Sequence, residues 1–434
     1  MCGPSDSVLR PLRGDSISVR LSVFLLILTM RPTMGGGGPG LGNPRAGPEF
    51  PAYEHKDQVD AVAGAQNNFT RDLYVALAKG STDNLFFSPF SIMTAIAMTH
   101  TGAKANTMEE IRKVLHLPEN KEDVFNGFHD VVKDIKTPVN EYELRTSNMA
   151  YVSDKLSLLE EFASVLTNKF HSISKTVNFG ASEEVRNEIN QAVEKETNSR
   201  IKDLIPSGVL DALTRMVLVN AVYFKGTWSK QFDEAATKTL PFHTTKDTSV
   251  NIPMMYIKDN FNLFHNRDLG ARLLSMDYEG GRLSMVIVLP DEVDGLATVE
   301  DKLATMDLNT IDKRMGSIKV EVTLPKFKLE ESLQLKSYLQ EMGIKDLFDE
   351  EKADLSGIGG SKDLHVSHVI HKAFLEVNEQ GSEAAAATGV VMMTRMMIRT
   401  PPPFKADHPF FFYIRDRRSN FILFSGRYVK PVEN

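Results

Sequence analysis

Between two strand-like runs, residues 366–378 and 410–415, the chain carries a connector that begins Glu379, Gln380, Gly381, Ser382, Glu383, Ala384, Ala385, Ala386, Ala387, Thr388 and continues through Val390, Val391, Met392, Met393, Thr394 and Arg395 to Met396. It is too long for a hairpin turn, and connectors of this length without structure of their own are uncommon unless functional or disordered. A linker would be rich in Gly, Ser or charge, whereas here four alanines lead into β-branched residues and methionines. Alanine favours a helix, but Gly381, Gly389 and the valine pair limit one to a turn or two. Read as a strand, Ser382, Ala384, Ala386, Thr388, Val390 and Met392 make one uncharged face, and Glu383 falls on the other. Such a segment could enter the middle of a sheet without burying an ion. A dozen new hydrogen bonds at roughly 1 kcal/mol each would rival the stability of a typical domain.

The rest of the chain can supply that sheet. Of 434 residues, 42% are hydrophobic and 25% charged, a globular balance with material for a sizeable core. The net charge of -7 argues against a nucleic-acid footprint. Arg10, Arg13 and Arg20 precede an apolar run from Leu21 to Met30, the charge order of a signal peptide and too short to span a bilayer. The expected protein is therefore secreted and extracellular, a monomer with no membrane partner. Its only cysteine, Cys2, precedes that run, so no disulfide is expected after processing. Asn68-Phe69-Thr70 is the one glycosylation sequon, meaningful if the chain is exported. Glycines and prolines crowd residues 31 to about 55. The expected organisation is a leader over 1–55 and one domain over 56–434.

Helical signals dominate the first half of that domain. Phe69, Leu73 and Leu77 share a helical face, and Ser88-Pro89 opens a helix over 90–101 with an N-cap and a first-turn proline. Thr107 to Glu110 reads as a capping box, and further helices are expected over 158–170, 182–197 and 333–342. Strands are expected over 216–224, 283–289, 318–324, 366–377, 410–414 and 420–429. Helices mostly first and strands mostly later give an α+β fold with mainly antiparallel sheets.

No catalytic constellation accompanies these elements: the chain has no G-x-S-x-G, HExxH, Walker loop or paired Cys-x-x-Cys, and an enzyme is not expected. Gly14-Asp15-Ser16 resembles part of a serine protease motif but sits in the leader. His365, His368 and His371 would suit a metal only on a helix. On a strand His368 points away from the other two, so no metal or other cofactor is expected. Lys133, Lys136, Lys313, Arg314 and Lys319 are interleaved with acids, favouring a solvated surface over a polysaccharide site such as one for heparin.

The segment from Glu379 through the alanines resembles the hinge of a serpin, a serine protease inhibitor. The resemblance extends to Phe87-Ser88-Pro89-Phe90-Ser91-Ile92, to Asn220 through Trp228, to Leu324-Pro325-Lys326-Phe327, to His371-Lys372-Ala373-Phe374, to His408 through Phe412, and to Phe424 through Tyr428. It implies three β-sheets, about nine helices and an exposed reactive-centre loop that acts as bait. Cleavage of the loop by a serine protease would form an acyl-enzyme, and insertion of the freed end would trap it. By that resemblance the hinge runs from Glu379 to Thr388, and the family's usual spacing places the reactive bond between Arg395 and Met396. Arg399-Thr400 is the alternative. An arginine bait implies a trypsin-like target. Ser88, Ser91, Asn220 and His371 match the family's shutter, and Trp228 and Lys326 its breach, with Lys326 expected to pair with Glu379. The rival reading is a non-inhibitory carrier, chaperone or storage serpin, but the small, uncharged hinge face argues for inhibition.

Overall fold

A computed structural model describes residues 50–311, 313–381 and 400–432. Nine α-helices are found among them: α1 (Lys56–Ala78), α2 (Pro89–Gly102), α3 (Ala105–Val114), α4 (Lys121–Lys136), α5 (Glu160–Phe170), α6 (Ser182–Glu196), α7 (Leu296–Leu303), α8 (Lys336–Met342) and α9 (Ser356–Gly359). The strands are β1 (Leu85–Phe87), β2 (Tyr142–Ser153), β3 (Ile173–Val177), β4 (Met216–Gly226), β5 (Lys238–Thr245), β6 (Thr248–Asn266), β7 (Ala271–Asp277), β8 (Leu283–Pro290), β9 (Gly316–Pro325), β10 (Phe327–Gln334), β11 (His368–Val377), β12 (Pro403–Lys405), β13 (Phe410–Asp416) and β14 (Ile422–Tyr428). The α+β class expected from the sequence is the one observed.

These strands form two hydrogen-bonded networks. The smaller runs β10-β11-β4-β2-β3, and the larger runs β1-β14-β13-β8-β7-β6-β9-β12 with β5 also on β6. A count of networks gives two where three sheets are expected because β6 is 19 residues long and serves both ends of the larger one. It pairs with β5 through its first part, with β9 from Met254 and with β7 from Asn262.

α2 sits at the centre. From Pro89 to His100 every residue is buried, as befits a helix apolar on all sides, and it packs on β4, β2 and β14. Ser88 caps it, its hydroxyl accepting from the Ser91 amide at 3.3 Å, and Pro89 occupies the first turn, as the sequence predicts. On the opposite face of the smaller sheet a second apolar cluster joins Val185, Ile189 and Val193 of α6 to Val217, Val219 and Ile370.

Three local expectations are corrected. Leu333 and Gln334 end β10 instead of opening a helix, since they pair with His371 and Ile370 before α8 begins at Lys336. Thr107 is no cap: α3 starts at Ala105, and the buried Thr107 hydroxyl accepts from the Asp354 amide at 3.0 Å. β11 starts at His368, two residues later than expected.

Candidate functional site

β11 ends in a four-residue turn that reverses the chain. The Gly381 amide donates to the Asn378 carbonyl at 3.2 Å, and the Asn378 side-chain oxygen accepts from the Gln380 amide, also at 3.2 Å. Asn378 and Gly381 form an antiparallel bridge, which closes the turn. Gly381 is required here twice over. Its φ is +89°, and a Cβ would overlap the Gly226 carbonyl oxygen and the Trp228 amide nitrogen at the end of β4.

The same turn is fastened to the chain that follows β4. The Trp228 amide donates to the Gln380 carbonyl and the Trp228 indole to the Asn378 carbonyl, each at 3.0 Å, while the Phe232 amide donates to the Glu379 carbonyl at 2.8 Å. Trp228 itself is buried and stacked on Tyr278, ring centroids 4.3 Å apart. Glu379 is 5% exposed, and its two carboxylate oxygens are taken by the Lys326 ammonium at 2.8 Å and the Thr237 hydroxyl at 2.9 Å. Burial pushes that carboxyl up, but Lys326 and Thr237 outweigh it and hold it below the ordinary range. The pairing expected between Glu379 and Lys326 is present; Thr237 has no counterpart in the sequence reading.

Halfway along β11 a polar row crosses three strands. Register sets His371 beside Asn220 of β4, and Asn220 beside Asn148 of β2. The Ser88 amide donates to His371 Nε2 at 3.1 Å, which assigns the ring proton to Nδ1, and Nδ1 donates to Asn220 Oδ1. Asn220 Nδ2 donates to Asn148 Oδ1 and Ser91 Oγ, Ser91 Oγ donates to Asn148 Oδ1 at 2.9 Å, and Ser88 Oγ donates to the Leu423 carbonyl at 2.6 Å. Burial pushes the His371 imidazole down to about 3, so the ring is neutral at physiological pH. Ser88, Ser91, Asn220 and His371 therefore meet as one network. Asn148 was missed, because it lies in the buried run 146–153 of β2, a strand the sequence reading did not expect.

Between these two features lies the seam that matters. β11 and β4 pair in parallel over eight residue pairs, from His368 with Val217 to Leu375 with Phe224. The Gly381 turn sits where this ladder ends, against the last residue of β4. The seam can thus take one more strand of opposite direction, exchanging one parallel ladder for two antiparallel ones.

The expected hinge residues Ser382, Glu383, Ala384, Ala385, Ala386, Ala387 and Thr388, and the bait positions Arg395, Met396 and Arg399, lie outside the described residues. Thr400 is described and exposed. Asn68 of the sequon lies half-buried within α1, and the Thr70 hydroxyl donates to the Gln66 carbonyl at 2.8 Å. No helix among the described residues is long and apolar enough to cross a membrane.

The family model described as Serpin (serine protease inhibitor) matches residues 64–431. The chain belongs to the serpin family. It is 43% identical to an uncharacterized serpin-like protein of Thermococcus kodakarensis over 380 residues, 87% of each chain. To the human leukocyte elastase inhibitor it is 39% identical over 381 residues, 86% of this chain and 100% of that one. The crystal structure of Serpin48, described as a highly specific serpin of the insect Tenebrio molitor, superposes with a TM-score of 0.78 at 34% identity, covering 86% of this chain and 98% of that one. The serpin fold gives the parallel seam and the reversing turn their context.

Proposed function

We propose that this serpin is an irreversible inhibitor of trypsin-like serine proteases, with Arg395 as bait and the β4–β11 seam as the trap. The observation that carries the reading is the reversing turn at Gly381, seated at the end of a seam whose two strands pair in parallel. The protease serine attacks the Arg395 carbonyl, the bond to the Met396 nitrogen breaks, and Arg395 is left as an ester on the protease. Residues from Ser382 onward then enter the seam. From Gly381 to Arg395 the extended chain spans about 46 Å at 3.3 Å per residue, enough to carry the ester toward the far end of β11. The protein supplies a substrate segment and folding energy, and the chemistry is the protease's own.

Ser88, Ser91, Asn148, Asn220 and His371 act as the latch of the seam, because the bond from His371 to Asn220 crosses it and must break when a strand enters. Lys326, Glu379 and Trp228 hold the turn at the point of entry. The human relative is named for inhibiting an elastase, and the arginine at 395 directs this chain to a different specificity pocket.

Incubation with trypsin and a panel of related proteases tests the reading. A denaturant-stable complex is expected, with a released C-terminal peptide beginning at Met396. A peptide beginning at Thr400 would move the bait to Arg399. Cleavage without a complex would favour the non-inhibitory carrier. Export is proposed on the charge order of residues 10–30, and N-terminal sequencing of material secreted by a eukaryotic host tests it.

A further inference from the structure

β10 is the outer strand of the smaller sheet, with β11 on one side. Among the described residues no backbone hydrogen bond reaches Lys328–Gln334 except from that ladder. An open groove of about 990 Å³ takes in residues 326–331 of this edge, with Phe327, Leu329, Glu331, Pro431 and Val432 among those that line it. Alternation along the strand puts Glu331 on the inner face with the buried Phe327 and Leu329.

The charges of the groove are paired with one exception. Lys328 faces Glu376 at 3.4 Å, Lys372 faces Glu330 at 2.8 Å, Lys326 faces Glu379 at 2.8 Å, and Lys430 faces Asp83 at 2.5 Å. Among the described residues the half-buried Glu331 carboxylate has no cation and no hydrogen-bond partner. Burial and the neighbouring Asp83 carboxylate push its pKa up, so the side chain pays for its position. An inward-pointing acid on an edge strand deters pairing with neutral or acidic strands. The same charge favours a strand that brings its own cation, and that combination gives specificity.

We infer that the outer edge of β10 is a docking site for an extended basic segment of a partner protein, which adds to the sheet as a strand and places a lysine or arginine against Glu331. Backbone groups of β10 supply the ladder, and Glu331 sets the register. The site is separate from the seam, with β11 between them. It does not depend on which protease the reactive loop traps.

The test uses the full chain and fluorescent eight-residue peptides of alternating threonine and valine, with one arginine moved through the four central positions. Fluorescence anisotropy should find one register that binds. Replacing its arginine by glutamine, or Glu331→Gln in the protein, should each weaken binding roughly tenfold or more, as loss of a charge-assisted bond does. Glu331→Lys should recover binding for a peptide carrying glutamate in that register. Hydrogen exchange at residues 328–334 should slow on binding. Trypsin inhibition by the Glu331→Gln protein should be unchanged, which separates this site from the seam. The proposal is overturned if no register binds, if binding ignores Glu331, or if a backbone N-methylated peptide binds equally well. Self-association of the unliganded protein that disappears in Glu331→Gln would assign the groove to a second copy and also overturn it.

Discussion

His371 is held neutral, with its proton on Nδ1 and its Nε2 accepting from Ser88, so acid attacks the network at this ring. Its folded value is near 3, against 6.5 as the ordinary value. Between the two the unfolded chain binds more protons, so this contribution to stability is complete above 6.5 and is lost as the pH falls through that window. His100, buried on α2 with neither ring nitrogen hydrogen-bonded, is pushed down to about 4 and adds in the same direction. Denaturant unfolding should therefore show stability falling from pH 6.5 to 5, by at most about 1.4 kcal/mol per pH unit for one such histidine. His371→Gln should reduce that slope, and an unchanged slope would count against a ring held neutral by burial. At Glu379 the asymmetry of a buried ion pair applies. Lys326→Ala leaves a buried carboxylate with only Thr237, whereas Glu379→Gln removes the charge that needed a partner. The first should cost about 1–2 kcal/mol, discounted because Lys326 is half exposed, and the second less. Equilibrium unfolding of the two variants measures the order.

At the scale of elements, the β4–β11 ladder is parallel while its neighbours β10–β11 and β2–β4 are antiparallel. A strand entering the seam would make roughly ten new net hydrogen bonds at about 1 kcal/mol each, besides burying apolar residues. Cleavage at the bait by trypsin should thus raise the melting temperature by on the order of 20 °C, read by calorimetry of the intact and cleaved protein. An unchanged melting temperature would mean that the freed end stays out. α6 covers the outer face of this sheet, and Asn190 ties it to the following chain, accepting from the Ile205 amide at 2.9 Å and donating to its carbonyl at 3.0 Å. Val185, Ile189 and Val193 of α6 share a buried cluster with Val217 and Val219 of β4 and Ile370 of β11, so the helix overlies both strands of the seam.

Across the whole molecule, distant segments are joined by one ionic cluster. Arg282, ahead of β8, donates to both oxygens of the fully buried Asp416 at 3.0 and 2.8 Å and reaches Asp134 of α4 at 2.7 Å. Arg418 also meets Asp134 and donates to the Pro51 carbonyl at 3.0 Å, and the Tyr53 hydroxyl donates to Asp134 at 2.8 Å. Asp416→Ala should strand Arg282 and cost about 3–5 kcal/mol, measured by chemical unfolding. A cost below 1 kcal/mol would show that Asp134 compensates alone. None of this cluster was legible beforehand. Arg282, Asp134 and Asp416 are scattered along the chain among many similar charges, and no local pattern marks the few that end up facing one another.

What the sequence determined by itself is local or periodic: the α+β class, the cap of α2 at Ser88-Pro89, the alternation that makes residues 382–392 fit to be a strand, and the motifs that resemble a serpin. The tertiary structure decided what depends on two distant segments meeting. It set β11 parallel to β4, placed Asn148 beside Asn220, put Thr237 on Glu379, and turned the chain at Gly381 against the backbone of Gly226 and Trp228. It also carried β10 to the edge of the sheet, where Glu331 faces a groove without a counter-charge. Hydrophobic period and capping act over a few residues. Strand order and the pairing of buried polar groups are chosen by the packing of the whole core, which no window of sequence contains.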